Sequence, residues 1–193
     1  MKIKYTAIIS ILFLIGLTGI AYAQDVGSMI AIRGKAIIER DNKAIEAKIK
    51  DRIELKDTIE TKERSKAKML FIDDSVLTLG EKSKVVIKEF VYSKGRGSSI
   101  FNLLDGKMRS IVGKTGFQVE TPTAVAAARG TVILFHVGVM DGRKFTTIIC
   151  LEGEVDITSP IPGITGMIIL TPGLMATVFE HEPLPTPTPA SYG

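Results

Sequence analysis

Cysteine, histidine and tryptophan are scarce in this chain of 193 residues, which contains one Cys, two His and no Trp. The single Cys150 cannot form an internal disulfide, and its position in an apolar run favours a buried core residue over a reactive thiol. His136 and His181 lack the spacing of a histidine metal site. No Ser or Cys nucleophile with an orienting acid accompanies His136. We therefore expect no catalytic residue, no metal and no cofactor, and we predict that the protein is not an enzyme.

Three polar motifs have both a functional and a structural interpretation. Asp73-Asp74 could be a calcium or acid–base pair, but no Asp-x-Asp-x-Asp-Gly loop surrounds it, so a turn is favoured. Gly95-Arg96-Gly97 could hold an anion, but no helix is expected to follow it, so a hairpin loop is favoured. Arg129 is expected to satisfy turn carbonyls or to pair with a carboxylate, with ligand binding as the alternative.

A strong charge of one sign is also missing. The chain has 25 Lys and Arg against 21 Asp and Glu, and acidic residues are interspersed with the lysines between Lys35 and Lys68. Such a mixture creates no field of a single sign. We expect no nucleic acid partner.

The only long apolar run lies at the N-terminus. Lys2 and Lys4 precede an apolar core from Ile8 to Ile20, and Ala21-Tyr22-Ala23 has the A-x-A pattern of a cleavage site. We predict a signal peptide over residues 1–23 that is cleaved after Ala23, with an uncleaved anchor as the alternative. No later run is long enough to span a membrane. The expected location is the periplasm or cell envelope, with no membrane span after the signal peptide is removed.

The rest of the sequence has the pattern of an all-β domain over residues 24–180. Short segments rich in β-branched and aromatic residues recur between Gly, Asp, Asn and Pro turn signals every eight to twelve residues or so. The predicted strands are 34–38, 64–72, 75–79, 85–91, 99–104, 116–120, 130–139, 143–151 and 154–158. Short edge strands are expected within 42–63. The alanine-rich segment 124–128 is too short for a stable helix and predicts tight packing instead.

Glycine flanked by charged residues precedes several of these strands. The triads are Arg33-Gly34-Lys35, Asp105-Gly106-Lys107 and Glu152-Gly153-Glu154, with Arg129-Gly130-Thr131 as a related case. Glycine at these points supplies the positive φ of a tight turn. The triads predict a single domain built as a β-solenoid-like stack of short strands and hairpins.

These motifs together resemble the FecR-like domain, which is named for a bacterial regulator of iron-citrate uptake. The resemblance runs from about Val26 to Val178, and its pieces are 32–36, 57–61, 67–79, 103–108, 117–122, 129–131 and 152–155. It implies an all-β, solenoid-like domain in the bacterial envelope. Seven motif residues are expected to be structural: Thr121, Pro122, Arg129, Gly130, Thr131, Gly106 and Gly153.

The sequence departs from the family pattern in two respects. Asp74 stands where the family's turn usually has Gly, and Asp tolerates the left-handed geometry better than most residues. The family's regulators also carry a cytoplasmic anti-sigma segment and a membrane span, whereas here the domain follows the signal peptide directly. We therefore do not expect regulation of a sigma factor. The Pro-rich segment 181–193 is predicted to be an extended, disordered tail.

The combined prediction is an exported, non-catalytic protein-binding or scaffolding module of the envelope, and an exposed strand edge could accept a partner strand. Two alternatives remain, a module that binds envelope glycan such as peptidoglycan, and a component of a transmembrane signalling system.

Overall fold

The computed structural model describes residues 25–113 and 115–190, and every regular element in them is a β-strand. The all-β prediction is therefore confirmed. The predicted signal peptide, with Ala21 and Ala23, lies outside the described residues. The strands are β1 (Asp25–Arg33), β2 (Ala36–Arg40), β3 (Lys43–Glu46), β4 (Arg52–Glu54), β5 (Thr58–Thr61), β6 (Lys66–Phe71), β7 (Val76–Leu79), β8 (Lys84–Ser93), β9 (Arg96–Ile111), β10 (Gly116–Glu120), β11 (Val125–Ala128), β12 (Val132–Met140), β13 (Arg143–Glu152), β14 (Val155–Thr158), β15 (Ile168–Leu170), β16 (Leu174–Phe179) and β17 (Thr188–Pro189).

The strands pair in two series that share the long strand β9. Sheet 1 has the order β4-β1-β6-β7-β9-β12-β13-β16-β17. Sheet 2 has the order β3-β2-β5-β8-β9-β10-β11-β14-β15. Residues 96–105 of β9 pair with β8 in sheet 2, and residues 106–111 pair with β7 and β12 in sheet 1. One strand therefore joins both sheets into a single hydrogen-bonded network.

The solenoid-like stack is not confirmed, because the pairing is almost entirely antiparallel. The one parallel pair in the described residues is β9 with β10. Tight hairpins cause the antiparallel arrangement. In two of these hairpins both central residues of the turn have positive φ, Asp41-Asn42 with 49° and 61° and Asp141-Gly142 with 52° and 76°. Such turns reverse the chain within two residues, whereas the coil of a solenoid brings successive strands round in parallel.

The core lies between the inner faces of the two sheets. Residues alternate between buried and exposed along the strands, as in β6, where Ala67, Met69 and Phe71 are buried. Phe71 of sheet 1 lies 5.0 Å from Phe101 and 5.7 Å from Phe90 of sheet 2, measured between ring centroids. These edge-to-face and offset contacts hold the two layers together.

The charged segment 42–63 and the alanine-rich segment 124–128 also form strands. Residues 42–63 contain β3, β4 and β5, of which β3 and β4 are edge strands and β5 lies between β2 and β8. The alanine-rich segment forms β11, with strands β10 and β14 on either side. Buried Ala126 of β11 shows the close packing that its small side chain allows.

The C-terminal segment differs from the prediction of a disordered tail. Thr188–Pro189 form β17 against β16, and the Ala190 amide donates to the Gly173 carbonyl oxygen at 2.8 Å. Leu184 packs against the hydrophobic core. Leu184 and the edge of β16 thus provide contacts for this segment, although its composition is poor in apolar residues.

Candidate functional site

The motif Thr121-Pro122-Thr123 forms a turn that ties the two sheets together. It connects β10 and β11 of sheet 2, and the hydroxyl oxygens of Thr121 and Thr123 both lie 2.8 Å from Thr146 Oγ1 on β13 of sheet 1. The Thr123 hydroxyl also donates to the Val178 carbonyl oxygen at 2.9 Å. All three threonines are buried. Their hydroxyls therefore satisfy each other and the backbone, which is a structural role.

The motif residues Arg129, Gly130 and Thr131 form the turn between β11 and β12. Arg129 and Gly130 are exposed, and Gly130 has a φ of 63°. The buried Thr131 packs against the motif glycine Gly153, whose φ is 79°, and a Cβ on Gly153 would lie 3.0 Å from the Gly130 carbonyl oxygen. Glycine is thus required at position 153 by both space and conformation.

Gly106 has the positive φ expected of its triad, 86°, but it lies inside β9 and not in a turn. It marks the point where β9 passes from sheet 2 to sheet 1. A Cβ at this position would lie 2.5 Å from the Ser83 Cα. The Ser83 hydroxyl accepts a hydrogen bond from the Lys107 amide at 2.8 Å. The bend of β9 is thus fixed by a close approach of two backbones and one serine.

Gly34 and Ser65 form a second contact of the same kind as Gly106 and Ser83. The Lys35 amide donates to Ser65 Oγ at 2.8 Å, and Ser65 Oγ lies 2.9 Å from the Glu63 carbonyl oxygen. Gly34 has a φ of 72°. Each of the two sites combines a Gly-Lys dipeptide with a Ser-Lys dipeptide from another segment. Gly34-Lys35 lies beside Ser65-Lys66, and Gly106-Lys107 lies beside Ser83-Lys84. The glycines were predicted from their charged flanks, whereas their serine partners were not predicted.

The Asp73-Asp74 pair forms a turn, as predicted. The buried Asp73 carboxylate accepts hydrogen bonds from the Ser75 amide at 3.0 Å and from the Thr115 hydroxyl at 2.7 Å. Asp74 has a φ of 66°, the left-handed conformation expected where the family has Gly. The Asp73 carboxylate is thus occupied by Ser75 of its own turn and by the distant Thr115.

Arg40 and Asp57 form an ion pair that sequence reasoning missed. Asp57 is fully buried, and its carboxylate accepts two hydrogen bonds from the Arg40 guanidinium, at 2.7 and 2.6 Å. Arg40 also pairs with Glu54. The hydrogen bonds to Asp57, opposed by partial burial, raise the pKa of Arg40. No local pattern links residues 17 apart in the sequence, so this pair had no signal there.

Cys150 and His136 differ in their surroundings. Cys150 is buried, as predicted, and burial raises the pKa of its thiol. His136 is exposed on the outer face of sheet 1, with its ring 5.1 Å from that of Phe145. Partial burial and the nearby Lys107 lower the pKa of His136, opposed by Asp105.

The described residues contain no group of three or more His, Cys, Asp and Glu side chains that could hold a metal ion. Within the same residues, no helix is sufficiently long and apolar for a membrane crossing.

One edge of sheet 2 is apolar and unpaired. Strand β15 pairs with β14 alone among the described strands. Met167 before it and Ile169 within it are 55% and 43% exposed. No charged residue occurs between Asp156 and Glu180. This surface, formed by β15 and Met167, is called the β15 edge below.

A family model described as FecR protein matches residues 57–156, just over half of the 193 residues. The chain belongs to the FecR family. All seven motif residues lie within this FecR match, from Gly106 to Gly153.

Two solved structures share the fold of this FecR chain. Both are crystal structures of a "putative anti-sigma factor" from Parabacteroides distasonis ATCC 8503, at 2.50 and 1.65 Å resolution. The TM-scores are 0.55 and 0.53 at 14% and 13% identity, with 68% of this chain covered in each case. The match spans 59% of the length of each of these proteins. A comparison with curated proteins finds no match.

Proposed function

We propose that this chain is an exported, non-catalytic FecR module that binds a protein partner in the bacterial envelope. The β15 edge is the surface proposed to receive that partner. The export signal read from residues 1–23 and the family's association with the envelope support the location. The absence of a nucleophile–base pattern from the sequence supports the non-catalytic role.

The proposal is carried by an edge strand that has neither a charged residue nor proline. Natural sheets protect their edges with such residues or by keeping the edge strand very short. On the other edges, β3 has Lys43 and Glu46, β4 has Arg52 and Glu54, and β17 contains Pro189. Strand β15 is also short, with three residues, but all three are apolar, and this edge would be a liability if nothing covered it.

The β15 edge offers two kinds of contact to an incoming strand. The free side of β15 provides backbone N–H and C=O groups for a new ladder, which supplies affinity in strand addition. The exposed side chains of Met167 and Ile169 provide apolar area for specificity. An extended segment of a partner protein with alternating apolar residues fits both requirements.

The proposal can be tested with one charge placed at the edge. Ile169→Lys in the full chain adds a charge to β15, and Ile45→Lys adds the same charge to β3, the edge strand at the opposite end of sheet 2, where Ile45 is 50% exposed. Each protein is immobilised and exposed to envelope extract, and bound proteins and sugars are both identified. The captured protein is then purified and its Kd is measured for all three chains.

We expect one protein to bind the unchanged chain and the Ile45→Lys variant with similar Kd, and to bind the Ile169→Lys variant at least about tenfold more weakly. Equal binding to all three chains would overturn the assignment to the β15 edge. Recovery of peptidoglycan without a protein would favour the glycan-binding alternative, and release of trimmed glycan would contradict the non-catalytic role.

A further inference from the structure

The outer face of sheet 1 carries a cluster of five cationic side chains. Arg33 lies on β1, Lys66 and Lys68 on β6, and Lys107 and Arg109 on β9, and all five are exposed. The register places Lys66 directly opposite Arg33, and Arg109 opposite Thr78 of β7. These residues are separated by up to 76 positions in sequence, so only the sheet brings them together.

Strand β7 forms the floor of a groove between the cations. It presents Thr78 to this face, and Gly80 follows directly after the strand, so small side chains lie between the lysines of β6 and the cations of β9. Neighbouring strands are about 4.8 Å apart, so β6 and β9 are separated by roughly 10 Å. One part of the groove, of ≈ 530 Å³, reaches Leu134, His136 and Ile149, and a second part, of ≈ 350 Å³, reaches Ala31 and Arg33. Both parts share Lys66, Thr78 and Arg109, so the groove runs continuously across the sheet.

No carboxylate lines this groove in the described part of the chain. Lysines elsewhere on the surface do pair with acids, as Lys88 with Glu120 at 2.7 Å and Lys144 with Glu180 at 3.1 Å. None of the five groove cations forms an ion pair with a described residue. Like charges opposite one another destabilise a sheet. The cluster therefore costs folding stability, and an anionic ligand would offset this cost.

We propose that this groove binds a linear acidic polysaccharide. The cations would pair with its carboxylates or phosphates, and the hydroxyls of Thr78 and Thr147 can donate to or accept from sugar hydroxyls. Leu134 and Ile149 supply an apolar surface at the end of the groove for the face of a sugar ring. The groove is open along its length, which suits a chain and not an isolated ion.

The same geometry disfavours two other anionic partners. A bilayer surface cannot enter a groove whose floor lies below the flanking lysines, and the chain has no Trp to anchor in a membrane interface. An acidic peptide would lie on a sheet face whose backbone groups are already paired, so it would gain no backbone hydrogen bonds there. A polysaccharide needs only the side-chain donors and acceptors that the groove provides.

The test uses polygalacturonate as the acidic probe and dextran as the neutral one. Binding to the full chain is measured at about 0.05 M and 0.5 M salt, since screening weakens contacts between exposed charges. The double variant Lys66→Gln and Lys107→Gln removes two cations from the groove. The matched control, Lys43→Gln and Lys48→Gln, removes two exposed lysines outside it and gives the same net charge. Thermal unfolding establishes that both variants fold, and Arg109→Gln alone replaces the groove variant if it does not.

We expect polygalacturonate to bind and dextran not to bind, with the groove variant at least about tenfold weaker and the control nearly unchanged. Equal losses in both double variants would overturn the groove assignment in favour of an effect of net charge. Equal binding of dextran, or no binding of polygalacturonate, would also overturn the proposal. So would binding to phosphatidylglycerol vesicles without binding to polygalacturonate, which would identify a membrane surface as the partner.

The groove lies on sheet 1 and the β15 edge lies on sheet 2, so the two proposed binding sites are separate. Ile169→Lys is expected to leave polygalacturonate binding unchanged. Failure of one proposal is therefore distinguishable from failure of the other.

Discussion

Arg40 and Asp57 form a two-pronged ion pair at the edge of the core, with Nε donating to Oδ1 at 2.7 Å and Nη2 donating to Oδ2 at 2.6 Å. The Glu54 amide donates to the same Asp57 carboxylate at 2.8 Å. The pair fixes the end of β2 against the turn that precedes β5. Asp57 is fully buried, so water does not solvate its carboxylate, and the hydrogen bonds from these described partners compensate for that loss.

Asp57→Asn is expected to lower the free energy of unfolding by about 3 kcal/mol, because removing one partner of a buried pair leaves the other uncompensated. Urea unfolding followed by circular dichroism measures the effect. Glu120→Gln, which breaks the exposed pair with Lys88, serves as the control and is expected to change little. If the double variant Arg40→Met and Asp57→Asn lost as much as the sum of its two single changes, the two residues would not be coupled.

Gly106→Ala is expected to destabilise the fold by about 3 kcal/mol or more, since its Cβ would both clash with a neighbouring backbone and adopt a left-handed φ. The new atom would lie 2.6 Å from the Lys82 carbonyl oxygen. Gly142→Ala is a matched control, because Gly142 has a φ of 76° but nothing within 4 Å of an added Cβ. It should lose only about 1–2 kcal/mol from conformation. Similar losses in both variants would show that the contact at Gly106 is unimportant.

Thr146→Val is expected to cost about 1–3 kcal/mol, because it removes a buried hydroxyl that lies between the hydroxyls of Thr121 and Thr123. The two sheets should separate more easily at this point, which hydrogen exchange at β13 and β16 can detect. Thr147→Val is the control, since Thr147 bonds only to Thr177, at 2.9 Å, on the partly exposed outer face. A larger loss at position 147 than at 146 would contradict the structural role of the motif.

Cys150 is expected to resist thiol reagents at neutral pH in the folded protein and to react after denaturation, since burial keeps the thiol protonated and inaccessible. Because its pKa is raised on folding, the unfolded thiol ionises first as the pH increases. Stability should therefore fall as the pH rises above the thiol's ordinary range. Cys150→Ala should show a smaller fall, as measured by urea unfolding between about pH 8 and pH 10. Rapid labelling of the folded protein would contradict the burial of Cys150.

Local patterns in the sequence predicted most of the strands, but not β1, β15 or β16. Gly116 to Glu120 forms a strand with the predicted bounds, and the glycines at 34, 106, 130 and 153 all have the positive φ that their triads indicated. The prediction for the alanine-rich segment also agrees with β11. Strand positions follow from burial with a period of two residues, and glycine turns follow from the conformational freedom of glycine. Both depend on residues close together in the sequence, so local patterns can predict them.

Contacts between distant segments were not predicted. No local pattern indicated that β9 would belong to both sheets, or that Arg40 would contact Asp57. Gly, Asp, Asn and Pro indicated turns between the strands, but which strands pair, and in which direction, depends on how the reversed strands assemble. Thr188 and Pro189 form a strand because they pair with the edge of β16, a contact that local composition does not indicate.

By itself, the sequence determined the all-β class, the position of most strands and the FecR resemblance, because each follows from local alternation and turn chemistry. The tertiary structure alone decided which side chains meet. The cations Arg33, Lys66 and Arg109 are unremarkable in the sequence, where acids are interspersed with them, and they form one face only because strand register and the two-residue period place them there.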